Sequence, residues 1–136
     1  MKLAEVVRQN PRLTANTGDV VAGFQPYLDS TPNARIHWVE EYARAVVQGD
    51  VHRAGIVAVT ADGLVLSWKH GLMYRHRSTF ELRRDDVTDW ELRSDDRLVA
   101  VTSGGDVSVE FRPGSPEYVG FSERVRLIRP FGRAPR

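Results

Sequence analysis

The chain has 136 residues, 19 Lys and Arg against 18 Asp and Glu, a formal net charge of +1, and 41% hydrophobic residues including three Trp. That is enough apolar mass for one packed domain, and it excludes a disordered chain. No apolar run approaches the ~18 residues of a membrane-spanning helix, MKLAEVVRQNPRL holds no signal-type stretch, and zero Cys excludes disulfide frameworks, thiolate metal sites and thiol catalysis.

From the N-terminus, Leu3, Val6 and Val7 suggest a short helix ending before Pro11. Val20, Val21, Phe24, Tyr27 and Leu28 fit a helical stripe, although Pro26 would break its middle. Residues 33–47 read either as a helix capped at Asn33 or, from about 41 to 48, as a first strand, and the strand is favoured. From Tyr42 onward the apolar period is two, which argues strands. Gly55–Thr60 is apolar on both faces, as a central strand would be. Ala61-Asp62-Gly63 marks a tight turn into Leu64, Leu66 and Trp68, which alternate with Val65, Ser67 and Lys69. Phe80 and Leu82, then Trp90 and Leu92, alternate with charged residues. Ser94-Asp95-Asp96 and Gly104-Gly105-Asp106 turn the chain into Leu98–Thr102 and Val107–Arg112. Seven short strands (about 41–48, 55–60, 64–69, 77–83, 87–93, 97–103 and 107–112) joined by tight turns predict an antiparallel meander closing into a small barrel or sandwich.

A helix signal ends the meander. Ser115 is a good N-cap, Pro116 suits the first helical position, and Tyr118, Phe121, Val125 and Ile128 follow at helical spacing. Pro130 stops the helix, and residues 130–136 read as a flexible tail.

Seven strands followed by one amphipathic helix is the order of a pleckstrin-homology-like fold. The run GDVHRAGIVAVTADGLVLSWKHGL, continued by STFELRRDDVTDWELR and LVAVTSGGDVSVEFRPGSPE, resembles the small bacterial pleckstrin-homology-like and GRAM-like domains over residues of about 41–129. The resemblance implies a mainly β, α+β architecture. Two orthogonal antiparallel sheets would be plugged by the last helix, with Phe121, Val125 and Ile128 packed near Trp68 or Trp90. Residues 1–40 would form a partly helical extension outside that pattern. Such folds serve as platforms for lipids, peptides or proteins, so the resemblance implies architecture and little chemistry.

The residues agree with a non-catalytic reading. His37, His52, His70 and His76 have no metal-ligand spacing, the serines lack a GxSxG context, and the Gly104-Gly105 turn precedes no helix. No catalytic residue, metal ligand or cofactor is therefore assigned. Charge, by contrast, is segregated. Residues 69–84 are net +4, residues 85–96 net −5, and residues 112–136 net +4. Either strands of opposite sign pair across the sheet, or a basic rim receives an anionic ligand. Lys69, Leu72, Met73, Tyr74, Arg75 and Arg77 are the candidate binding residues, because a hairpin there carries cations on both arms and apolar residues at its tip. The first expectation is a protein partner or self-association anchored by Tyr74, Met73 and Leu72. The alternative is an anionic membrane surface. The near-neutral total and the acidic neighbouring segment argue against nucleic acid. Seventeen of the 19 basic residues are Arg, a bias that a GC-rich genome, such as an actinobacterial host or its phage, produces. The expected location is cytoplasmic, with peripheral membrane contact left open.

Overall fold

The computed structural model describes residues 36–70, 72, 76–93, 96–112, 114 and 116–127, together with Tyr27, Asp29 and Ser30. The elements run β1 (Ile36–Val47), β2 (Asp50–Thr60), β3 (Gly63–His70), β4 (His76–Arg83), one 3-10 turn (Arg84–Asp86), β5 (Val87–Arg93), β6 (Arg97–Thr102), β7 (Gly105–Glu110) and α1 (Pro116–Leu127). Every predicted strand is present within a few residues of its expected bounds. β1 starts earlier than residue 41, and the helical alternative for 33–47 is overturned. Ile36–Val47 is rich in the β-branched and aromatic residues that suit a pleated surface. Ile128 and the tail from residue 130 lie outside the described residues.

Local chemistry sets the hairpins. Gln48 and Gly49 both adopt left-handed backbone, at φ 52° and 94°, as the two-residue turn between β1 and β2 requires. The turns after Thr60 and Thr102 share one design. Each Thr hydroxyl accepts from the backbone N–H two residues on, Asp62 at 3.2 Å and Gly104 at 3.2 Å. Each also donates to the carbonyl three residues on, Gly63 at 3.3 Å and Gly105 at 2.6 Å. Gly63 is obligatory there, because its φ is 147° and a Cβ would sit 2.0 Å from the Leu82 carbonyl oxygen.

The described strands form one antiparallel sheet in the order β4-β3-β2-β1-β7-β6-β5. Chain neighbours β4 and β5 are thus its two edges, and only Arg84–Asp86 joins them. In a flat sheet they would lie about 29 Å apart, six strand spacings. Four Cα steps reach only about 15 Å. The sheet must therefore curl steeply, and β1 shows where. It pairs with β2 along its whole length but with β7 only from Arg44 to Val47, so the first half of β1 diverges from β7. Full barrel closure, expected from the sequence, is not found: no ladder joins β4 to β5 among the described residues, and the sheet stays open. Likewise the strands form one continuous sheet, not two separate ones.

The concave side holds the core, which includes Trp38, Tyr42, Ala45, Val57, Leu64, Leu66, Trp68, Leu98, Val107 and Phe111. On β1 the inward residues change parity, from Trp38 and Tyr42 to Ala45 and Val47, while the register with β2 runs on unbroken. Tyr42 stands opposite Gly55 at this bend. A Cβ on Gly55 would meet the Tyr42 hydroxyl at 2.2 Å and the Ser67 carbonyl oxygen at 2.5 Å, so only glycine lets the ring cross there. Glu40 is also fully buried on this side, and its Oε1 accepts from the Trp38 indole N–H at 2.8 Å. That bond offsets part of the cost of burying the Glu40 carboxyl group.

Helix α1 closes the concave side as its spacing predicts. Tyr118, Phe121 and Val125 enter the core, and the helix packs on β1 and β2. Phe111 packs against it, with ring centroids 4.9 Å from Phe121 and 5.7 Å from Tyr118. The Tyr118 hydroxyl donates to the Arg93 carbonyl at 2.9 Å, with the Arg97 carbonyl at 3.4 Å, which ties the helix to the β5–β6 hairpin.

Candidate functional site

The basic hairpin forms where the sequence places it. β3 and β4 pair out to Lys69↔Arg77 and His70↔His76, leaving 71–75 as the tip. Lys69 is half-buried and Leu72 is 85% exposed. Met73, Tyr74 and Arg75 lie outside the described residues, and for Arg77 only the strand position is described.

The same end of the sheet carries a second hairpin, β1–β2, which sequence reasoning missed as part of the site. Val51 on it is 48% exposed, and Arg44 and Arg53 stand opposite each other and are exposed. His52 stacks on Trp68 at 3.9 Å with an 18° interplanar angle, so β2 and β3 stay together beyond their last ladder pair, Gly55↔Trp68. All four histidines occupy strands, and His52 is packed on an indole. Two cross-strand register pairs at this end, Arg44↔Arg53 and Lys69↔Arg77, set residues of like charge opposite each other. Arg44 is partly compensated by Glu110 at 3.7 Å, a carboxylate it shares with Arg97 at 3.5 Å.

The idea that the basic and acidic segments neutralise each other across the sheet is overturned. The basic segment ends in β4, which pairs with β3, and the acidic one holds β5, which pairs with β6. The two sign blocks occupy opposite edges. Among the described residues, no three His, Asp or Glu side chains gather where they could hold a metal ion.

A polar cleft of about 300 Å³ lies at the other end of the sheet, lined by Tyr27, Thr60, Val65, Glu81 and Arg83 among others. Tyr27 is buried against it, and burial pushes its phenol above the ordinary range despite a hydrogen bond with the Thr60 side chain. Glu81 and Asp62 push the same way, and Arg83 opposes them. Nothing in the sequence marks this cleft, because a residue before β1, a turn and the end of β4 are brought together only by the fold.

No family model matches the chain, and no curated protein does. Solved structures do. A pleckstrin homology domain from Shewanella amazonensis is similar at a TM-score of 0.55 and 17% identity, covering 82% of this chain and 96% of that one. The C-terminal domain of an unknown protein from Leishmania infantum is similar at a TM-score of 0.52 and 10% identity, covering 80% and 97%. At such identities the likeness establishes a pleckstrin-homology-like fold and nothing of function.

Proposed function

We propose that this pleckstrin-homology-like chain, of the bacterial GRAM-like kind, is a non-catalytic adaptor. It binds a protein partner through the sheet end where the β1–β2 and β3–β4 hairpins meet. The observation that carries this reading is the company Leu72 keeps. An 85% exposed leucine at a hairpin tip, with half-exposed Val51 on the neighbouring hairpin, offers two aliphatic contacts at the sheet end that also carries Arg44, Arg53 and Lys69. Apolar anchors inside a charged rim are the usual anatomy of a protein interface.

The like-charged cross-strand pairs support a second reading, an anionic membrane surface that relieves their repulsion. The two are separated by running full-length protein, Leu72→Asp with Tyr74→Ala, and Lys69→Glu with Arg77→Glu through two assays. These are partner capture with mass spectrometry, and co-sedimentation with phosphatidylglycerol vesicles at low and high salt. The protein reading expects a defined partner lost with the apolar pair and little changed by moderate salt. Vesicle binding abolished by the charge pair and by salt would transfer the assignment to membrane. Retention of every partner by both variants, with no vesicle binding, would refute the site.

A further inference from the structure

The convex face of β1–β3 is as apolar as a core. Val39, Ala58 and Val65 form one cross-strand row on it, and Ile56 and Ser67 the next. All five are buried, as is Ile36 at the start of β1. None belongs to the concave cluster, which is where α1 inserts. The sheet is therefore covered on both sides, and neither the strands nor α1 supplies the second cover. One described residue outside those elements does sit there: Tyr27, buried, beside Thr60, Val65 and Glu81. It precedes β1, and with Asp29 and Ser30 it is helical, the Ser30 hydroxyl donating to the Tyr27 carbonyl at 3.1 Å.

We infer that the convex face of β1–β3 is a docking surface whose occupant is the chain's own segment before β1, seated by Tyr27 on Thr60. Residues 1–35 supply ample length, and Val20, Val21, Phe24, Tyr27 and Leu28 are the apolar side chains there to match the row. The polar cleft beside Tyr27 marks where the cover ends, with charged Asp62, Glu81, Arg83, Arg84 and Asp85 at its border.

The absence of cysteine makes the test direct. Single reporters, Ala58→Cys on the convex row and Ala100→Cys in the concave core, are placed in the full chain with and without Tyr27→Ala, and maleimide labelling rates are measured. Val39→Cys replaces Ala58→Cys if that variant fails to fold. We expect slow labelling at both sites in the parent, independent of protein concentration. Tyr27→Ala should then speed labelling at position 58 at least tenfold and leave position 100 unchanged. Equal acceleration at both sites would show general opening of the fold, not uncovering of the convex row, and no acceleration at 58 would show that Tyr27 does not seat the segment. Protection at 58 that falls on dilution would make a second copy the occupant. Any of these three results overturns the inference.

Discussion

Replacing Tyr42 by Phe should stabilise this protein, against the usual cost of deleting a buried hydroxyl. The ring is buried at the bend of β1, and its hydroxyl has no hydrogen-bond partner among the described residues. An unsatisfied buried polar group costs about 1–3 kcal/mol. The phenylalanine keeps the ring contacts and leaves a gap no larger than one oxygen above Gly55. We expect a gain of about 1 kcal/mol after that small packing loss, or about 3 °C in melting temperature for a domain of this size. The pH dependence sharpens the test. Burial holds the Tyr42 phenol well above its ordinary value of about 10 in the folded state. Above pH 10 the unfolded chain therefore ionises first, so this group's contribution is fully present below that value and is lost as pH rises. The Phe variant escapes that loss, and its advantage should widen by about 1.4 kcal/mol per pH unit above 10. The other tyrosines, Tyr27 included, act in both proteins and cancel. Urea melts of the pair at pH 7, 10 and 11 measure the difference. A Phe variant less stable than the parent by 1 kcal/mol at pH 7, with no widening in alkali, would show that the hydroxyl is satisfied and refute the reasoning.

Gly55→Ala should cost about 3 kcal/mol, the upper range for overpacking. Combining it with Tyr42→Phe should recover only part of that, because the Ser67 carbonyl blocks the new methyl independently; chemical denaturation of the three variants checks this. Phe121→Ala should cost about 3–5 kcal/mol, as for a fully buried aromatic, and Trp90→Ala roughly half as much because Trp90 only borders the core. Equal losses in thermal melts would place Trp90 deeper than it lies here. Tyr118→Phe should cost about 1 kcal/mol. Faster amide exchange of the helix in that variant, read by mass spectrometry, would report the lost tie to the Arg93 carbonyl.

What was legible in the sequence was local. Alternation such as Leu64, Leu66 and Trp68 fixes a strand and its faces, and the turn residues around Gly63 and Gly105 fix its ends. Gly55–Thr60 read as apolar on both sides, and both sides are buried. The start of β1 was harder, because Val39 is apolar on the convex side and Glu40 charged on the concave one, which hides the period. Long-range placement left no local mark. Nothing in β4 or β5 announces that they are opposite edges, so the sign blocks looked like partners. The candidate site was half visible: Lys69 and Leu72 stood out by charge and context, whereas Val51, Arg44 and Arg53 join them only through the β1–β2–β3 register. Trp90 looked like core by residue type, yet it sits at the margin.

The β1–β7 seam has a consequence for how the chain folds. The ladders β1–β2, β2–β3 and β3–β4, like β5–β6 and β6–β7, link strands that follow one another in the chain. The seam instead pairs Arg44–Val47 with Val107–Glu110 across most of the domain. Closing so long a loop is entropically slow, and only four described pairs reward it. Two meanders forming early and joining late at Ala45 and Val109 is therefore the expected route. Conservative truncations there, such as Val109→Ala, should mainly speed unfolding, whereas Leu82→Ala inside the first meander should slow folding in proportion to the stability it removes. The opposite pattern in stopped-flow kinetics would place the seam in the nucleus and have the meanders consolidate after it.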